Sequence, residues 1–587
     1  MKLVMKKLYY FVVAICTALT ACDDSLLDVI PRDRLSDGNI WADESSADLF
    51  LNDIYDKLPD GNNYQDPFEN FSDNSMNGFS WAPSRSLERE SSYTPYAYPD
   101  GGITLNIYWD TNYSFIRKCN IFIKEVSKSN LSDNYKKERI AEARFLRAFF
   151  YHILWMNYGG VPLITEPLDR ITQGDEIFVS RSTVEETADF LIDELRLAAV
   201  DLSITKEPGR VSKGAALALK GWIELYFASP LHNPDNDLRR WEQAAATNQE
   251  IMDLAVYHLY PDYGKLFLPE GNINEEGIFY RQYYPGAKGG RESSYMSTPY
   301  TGNGGHTSWG AVNPTHNLVA DYAMSNGKTI DEPDSGYDEQ NPYLNREKRF
   351  YETIVYDGSY WYNTTIYTRL GMNSLNELDL SDASDATNTG YNLRKRMNPN
   401  IALGAANWDG ATSSQNYYLF RYAEVLLNYA EARNESVGPD VSVYDAVNAV
   451  RERNPEEPYL PKLKEGLSKD EMRKAIRRER RVELAFEDKR RFDLLRWKIA
   501  EEVYSQGLQA MRIEEVNGRL KYTVIQAPDG KRKFESKNYV FPVPRQVLDQ
   551  NPKILEQNGG PDNWENGQNP GYDKSVSYTH LRAHETV

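Results

Sequence analysis

Apolar positions recur every third or fourth residue over long stretches of this 587-residue chain. That is the spacing of amphipathic helices that bury one face. The first such run, Ser45 to Leu58, carries Leu49, Phe50 and Ile54 in helical register. A second starts at Trp109 and places Tyr113, Ile116, Asn120, Ile123 and Val126 three or four apart. A third gathers Ala143, Leu146, Phe149, Phe150 and Ile153 into a broad stripe that Gly159, Gly160 and Pro162 bring to an end. Helices are predicted again at Val184 to Ala199, Gly214 to Pro230, Trp241 to Ala255, Tyr417 to Asn434 and Lys469 to Ala500.

Two stretches lack this period. Residues after Leu58, through about Gly102, are rich in Ser, Pro, Tyr and Asn and read as long surface loops. The middle, roughly Leu259 to Thr412, is dense in Gly, Asn, Tyr and Ser, with a short β-like run at Tyr351 to Tyr356. Loops this long inside a compact protein are usually functional or disordered. In the run from Gly214 to Pro230, Ala216, Ala218 and Gly221 allow close approach of a neighbour, while Trp222 and Tyr226 fill space. Paired helices that mix small residues with large aromatics resemble tetratricopeptide hairpins, in packing style rather than in a strict consensus. The predicted fold is therefore mostly α: degenerate tetratricopeptide-like helical hairpins forming a scaffold, with long loops and a few short strands.

The ends of the chain change the picture. Lys2, Lys6 and Lys7 precede an apolar run, Leu8 to Leu19, that is too short to span a bilayer as a helix. Leu19-Thr20-Ala21-Cys22 follows. This reads as a secretory signal over residues 1–21, and its end resembles the lipobox of bacterial lipoproteins. Cleavage before Cys22 would leave that thiol to carry lipid, at about 0.8 kcal/mol of anchoring per buried methylene. Cys119 is then the only thiol left, so no internal disulfide is expected. At the other end, Val576 to Thr586 reads VSYTHLRAHET, like translated sequencing-adapter read-through, and residues 576–587 are set aside. Between them, residues 22–260 form an N-terminal helical region and 261–575 a C-terminal region with a loop-rich binding segment.

A formal net charge of −19 argues against nucleic acid or an anionic membrane surface as the main ligand. Catalytic motifs are missing: no H-E-x-x-H surrounds His152, His232, His258, His306 or His316, and no C-x-x-C, G-x-S-x-G, Walker A or Rossmann fingerprint occurs. No cofactor is expected beyond the lipid on Cys22. Asp379, Asp382 and Asp385 could hold a structural Ca²⁺, but they lack metal-loop spacing, and a solvated loop is the preferred reading. The Arg/Glu-rich run Glu479 to Arg496 interleaves Glu483, Glu487, Asp488 and Asp493 with its arginines, as ion pairing along and between helices requires. Arg147, Arg421 and Glu424 are expected to tie helices together.

Aromatic residues offer the candidate binding chemistry. Tyrosines number 41 against 21 phenylalanines, a bias toward rings with an apolar face and a polar tip. Sugars present C–H-rich faces that pack on such rings, and the rings belong on loops held by a rigid scaffold. The loop aromatics Trp309, Trp81, Tyr295, Tyr300 and Trp361 are the candidates. Trp109, Trp222, Trp241 and Trp497 lie on helical stripes and read as core.

Several segments in order resemble one family. They are Leu27-Asp28 with Pro31, Trp41, Leu51 and Tyr55; Ala141 to Thr165 (AEARFLRAFFYHILWMNYGGVPLIT); Asn313 to Gly327; Leu419 to Glu435; Glu479 to Trp497; Phe541 to Pro552; and Gln568 to Tyr572. Together they are similar to the SusD/RagB proteins over nearly all of the mature chain. The resemblance implies a surface-exposed, lipid-anchored protein of the bacterial outer membrane. It would sit as a lid on a SusC-like TonB-dependent transporter, bind oligo- or polysaccharide (peptide in some members) and hand it into the barrel without catalysis. It also favours Trp309, just before the Asn313-Pro314 helix start, because family members often place a binding aromatic near that element. A surface glycoside hydrolase, with two carboxylates facing across a cleft, remains the reading from another class.

Overall fold

The computed structural model describes residues 40–59, 66–85, 105–205, 207–284, 289–290, 295–300, 308–382, 385–400 and 413–557. The signal segment, Cys22, His306 and the 576–587 tail lie outside them. Most of the periodic runs are helices close to their predicted bounds: α1 (Glu44–Tyr55), α2 (Leu105–Lys128), α3 (Asp133–Tyr158), α4 (Val184–Asp201), α5 (Lys213–Ala228) and α6 (Leu238–Asp253). The array continues with α7 (Tyr422–Val437), α8 (Val441–Glu452) and α9 (Lys469–Glu483). Side-chain caps fix the starts. Ser132 and Ser212 accept from backbone N–H groups two or three residues into α3 and α5, and Thr183 with Glu186 and Ser468 with Glu471 form capping boxes on α4 and α9. Gly159 ends α3 at φ +71°, a left-handed conformation open to glycine.

Each helix from α2 to α7 packs on the next in sequence, and α7 then takes both α8 and α9. The helical array is thus continuous in space although residues 254–421 interrupt it in sequence. The two flanks of that insertion are joined by β1 (Gly277–Arg281) pairing antiparallel with β2 (Tyr417–Arg421), Gly277 opposite Arg421. One apolar core runs through the helices and includes Trp109, Trp222 and Trp241. A second, built around Tyr322, Phe350, Tyr391 and Met511, joins the inserted region to residues 482–486 and 511–513 nearer the C-terminus.

Four expectations are corrected. Residues 66–85 are largely buried instead of forming surface loops; their polar side chains satisfy one another in the interior. Tyr417 begins a strand rather than a helix, since YYLFR is buried at every position and such a run carries no period. The β-like Tyr351 to Tyr356 is the end of a helix (Lys348–Thr353) followed by a two-residue strand (Ile354–Val355). The single helix expected from Lys469 to Ala500 stops at Glu483, because Phe486 and Asp488 take left-handed φ of +61° and +58° before α10 (Arg490–Arg496). There the Asp488 N–H donates to the Glu69 carboxylate while the Glu69 N–H donates to Asp488, which ties the break to the N-terminal segment.

The charged run does pair internally. Arg421 donates to Glu276 at 2.7 Å, to Glu483 at 2.6 Å and to Glu487 at 2.7 Å, and Arg453 reaches the same Glu276 and Glu483. Arg349 and Lys395 complete this buried lattice through Glu483 and Glu487. Arg147 holds Glu194 of α4, and Glu424 meets Arg480 and Lys489. Breaking a buried pair by removing one partner costs about 3–5 kcal/mol.

Candidate functional site

Five polar residues build the base of the site. Asp66 accepts from Asn77 Nδ2 at 2.8 Å, Asn70 Nδ2 at 3.2 Å, Ser84 Oγ at 2.6 Å and Ser84 N at 2.8 Å. Burial pushes its carboxyl up, and these bonds work against that shift. Ser75 donates to Asn70 as well. The knot pins residues 77–84 into a tight loop. Gly78 lets that loop touch a second one: a Cβ there would lie 2.2 Å from the Gly310 carbonyl oxygen. Just beyond, Ser75 and Met76 pair with Pro314 and Asn313.

Where the two loops meet, the aromatic candidates gather. Phe79, Ala82, Tyr295 and Ala311 form a small apolar cluster, with Trp309 packed against it. Ala311 N donates to the Tyr295 carbonyl at 2.7 Å. Trp81 lies over Phe79 at a centroid distance of 5.0 Å and an interplanar angle of 8°, yet remains 58% exposed. Its indole is held from behind and open in front. Two of the five predicted rings, Trp309 and Tyr295, therefore share one cluster and a third, Trp81, stacks on its Phe79, although Tyr295 is only 9% exposed and serves mainly as support. Tyr300 is held by Asn376: its N–H donates to Asn376 Oδ1 and its carbonyl accepts from Asn376 Nδ2. Trp361 is a correction. It is 5% exposed in the second core, with the Arg394 guanidinium 4.8 Å above its ring, and cannot present a face to a ligand.

Residues 376–382 and Asp385 meet this part of the structure through Tyr300, Arg85 and Gly310. Besides the Asn376–Tyr300 bonds, Asp382 accepts from Arg85 at 2.7 Å, and the Asp385 carbonyl closes over Gly310. Burial and then the Asp385 carboxylate push the Tyr300 hydroxyl up. Arg85 is 1% exposed and also reaches Asp529 at 3.1 Å and the Asn77 carbonyl at 2.9 Å. Asp382 is thus engaged by Arg85 and Asn388, and Asp379 accepts from Ser381. Among the described residues no three His, Cys, Asp or Glu side chains converge as a metal site would require.

Comparison with known proteins decides the family. Residues 275–564 match the profile of the SusD family, and residues 28–225 match one described as starch-binding associating with outer membrane. The chain belongs to the SusD/RagB family. Among SusD-like relatives, one from Formosa agariphila is 25% identical over 83% of this chain and 90% of its own length. Another, from Bacteroides ovatus, is 23% identical over 85% of this chain and 83% of its own. Two solved Bacteroides fragilis structures align across the fold. A SusD-like protein is 27% identical with TM-score 0.72, covering 88% of this chain and 98% of that one. A SusD-like carbohydrate binding protein is 28% identical with TM-score 0.73, covering 88% and 99%.

This SusD-family chain also contains a partly open pocket of about 350 Å³ between α2, α3, β2 and residues 487–492, walled by Phe115, Phe149, Ile153, Phe420 and Phe492. Its polar neighbours have protein partners. Lys489 donates to the Leu419 carbonyl, Asp488 accepts from Tyr417, and burial lowers His152 to about 3, which keeps it neutral. The ring cluster faces solvent through Trp81. Phe79, Arg85 and Asn376 are parts of the cluster that the sequence reading missed. Phe79 had a local signal in its i, i+2 spacing to Trp81, whereas Arg85 and Asn376 are joined to the rings only by partners distant in sequence.

Proposed function

We propose that this protein captures oligo- or polysaccharide on the Trp81–Trp309 surface and delivers it to a partner SusC-like TonB-dependent transporter, without cleaving it. The observation that carries this reading is Trp81, an indole stacked on Phe79 with its other face open to water. A supported, exposed ring is what the C–H face of a pyranose packs against. Membership in the SusD/RagB family supports the reading, as does the carbohydrate-binding relative from Bacteroides fragilis. Attachment to the outer membrane through lipid on Cys22 and exposure at the cell surface complete the proposal. They rest on the Leu19-Thr20-Ala21-Cys22 sequence and on the second family profile.

Affinity should be modest. Two or three ring contacts at roughly 1 kcal/mol each, with hydrogen bonds at about 1 kcal/mol apiece, give about 4–7 kcal/mol, or roughly millimolar to ten-micromolar binding. Tethering beside a transporter raises capture through effective concentration. The test is to incubate the purified mature chain with a glycan panel, scoring retention and new reducing ends together. Retention without new ends is the expected result. Release of reducing ends would make the protein a hydrolase, and retention of no glycan would remove the proposal.

A further inference from the structure

The pocket between α2, α3 and β2 differs in its chemistry from the ring surface. Its wall is built of phenylalanines from three elements, and the Phe68 ring stacks on Phe492 at a centroid distance of 5.4 Å and 8°. Phe68, Phe115, Ile153 and Phe492 are only partly buried, so each keeps some apolar surface uncovered. The charged groups at the edge are engaged. Lys489 pairs with Glu424, Glu487 with Arg421 and Lys395, and Lys57 with Asp53 and Asp56, while Arg396 lies over the Tyr417 ring. His152 has one ring nitrogen to spare. It is 5% exposed, and its Nδ1 must donate to the Phe149 carbonyl, since a carbonyl oxygen only accepts. The ring is neutral, because burial lowers its pKa to about 3, so Nε2 carries a lone pair and no proton. Nε2 has no protein partner among the described residues, and His152 lines the pocket. With Nδ1 turned back on its own helix, Nε2 is the edge of the ring left for that space.

From this we propose that the pocket is a further ligand site, for a small uncharged aromatic molecule bearing a hydroxyl group. The volume of about 350 Å³ exceeds the ~150 Å³ in which an apolar cavity takes up benzene, and it reaches the range of ordinary ligand sites. Being partly open, the pocket gives such a molecule a way in. Its phenyl walls pack edge-on or offset against an aromatic ring, and His152 Nε2 accepts from the hydroxyl. Other chemistry fits less well. A sugar would bury several hydroxyls against phenylalanine, where each loses its water without gaining a partner. A carboxylate or ammonium group would lose its hydration beside side chains whose charges already hold partners. The inference does not rest on the glycan reading, and failure of either leaves the other standing.

Calorimetry of the mature chain with 4-bromophenol and 4-bromoanisole tests the idea. The anisole keeps the ring and the bromine but has no hydroxyl to donate. The phenol should bind with a dissociation constant of about 0.1–1 mM, as suits a fragment this small. The anisole should bind about fivefold more weakly, for want of one hydrogen bond. In His152→Phe the two should bind alike, and Ile153→Trp, which fills the pocket, should remove phenol binding, with far-UV circular dichroism confirming that each variant is folded. A crystal of the unaltered chain soaked in 4-bromophenol gives a reading that no variant can spoil. The anomalous signal of bromine should lie in the pocket, with the phenol oxygen within hydrogen-bond distance of His152 Nε2. Absence of phenol binding at millimolar concentration, equal affinity for phenol and anisole in the unaltered chain, or bromine found only outside the pocket would each overturn the proposal.

Discussion

Trp81 and Trp361 are the same residue type in similar, aperiodic sequence, and the structure gives them opposite roles. Trp81 has Phe79 behind it and solvent in front; Trp361 has core on one side and Arg394 on the other. Trp81→Ala should weaken glycan binding by about fivefold, the ~1 kcal/mol of a ring contact, while far-UV circular dichroism and the melting temperature stay unchanged. Trp361→Ala should do the converse. It should lose about 3–5 kcal/mol of stability in urea, as truncation of a buried tryptophan does, and keep its affinity in the folded protein. The sequence placed both on loops but could not separate them, because burial here is decided by partners far away in the chain. The helical tryptophans were legible for the opposite reason: Trp109, Trp222 and Trp241 lie on periodic stripes, and periodicity reports which face is buried.

At the level of elements, the runs with a 3.6-residue period gave helices near their expected bounds, while the aperiodic segments hid most of the rest. Residues 66–85 look like solvent-exposed loop by composition, yet Asp66, Asn70, Asn77 and Ser84 satisfy each other and carry the segment inside. No local pattern announces such a polar knot. The hairpin of Gln509–Val516 with Arg519–Gln526 was different. Its turn is Asn517-Gly518, both at positive φ, a strong short-range hairpin signal that the sequence carried and the helical reading passed over. The close approach of the two ring-bearing loops at Gly78 gives an element-scale prediction. Gly78→Val puts side-chain atoms into the Gly310 carbonyl, so the loops must part. A loss of about 1–3 kcal/mol is expected in urea unfolding, together with weaker glycan binding in the folded fraction, measured by calorimetry.

For the whole molecule, the buried charges set a pH window. Arginines hold Glu431, Glu487 and Asp73 at about 2, below their ordinary carboxylate values, against the opposing effect of burial. Depressed groups of this kind stabilise the fold above their unfolded pKa, and that contribution disappears as pH falls through the folded value. Glu69 and Glu352 have the other sign: burial raises each from 4.5 to about 7. They favour the fold when protonated, fully below 4.5, and that advantage is lost as pH rises through 7. Thermal unfolding followed across pH should show greatest stability in the mildly acidic range, a modest decline toward pH 8 and collapse toward pH 2. At the same scale, Cys22→Ala should abolish palmitate labelling and release the protein from membranes; persistent labelling would refute the anchor.

The central claim is that a sugar lies on an exposed indole held in place by a helical scaffold. The measurement that tests it most directly is a crystal structure of the mature chain with an oligosaccharide found by the glycan panel. A pyranose ring lying parallel to Trp81, at the ~3.5–4 Å of van der Waals contact with Trp309 beside it, is the expected result. A sugar bound elsewhere, with Trp81 still open to solvent, would contradict the account.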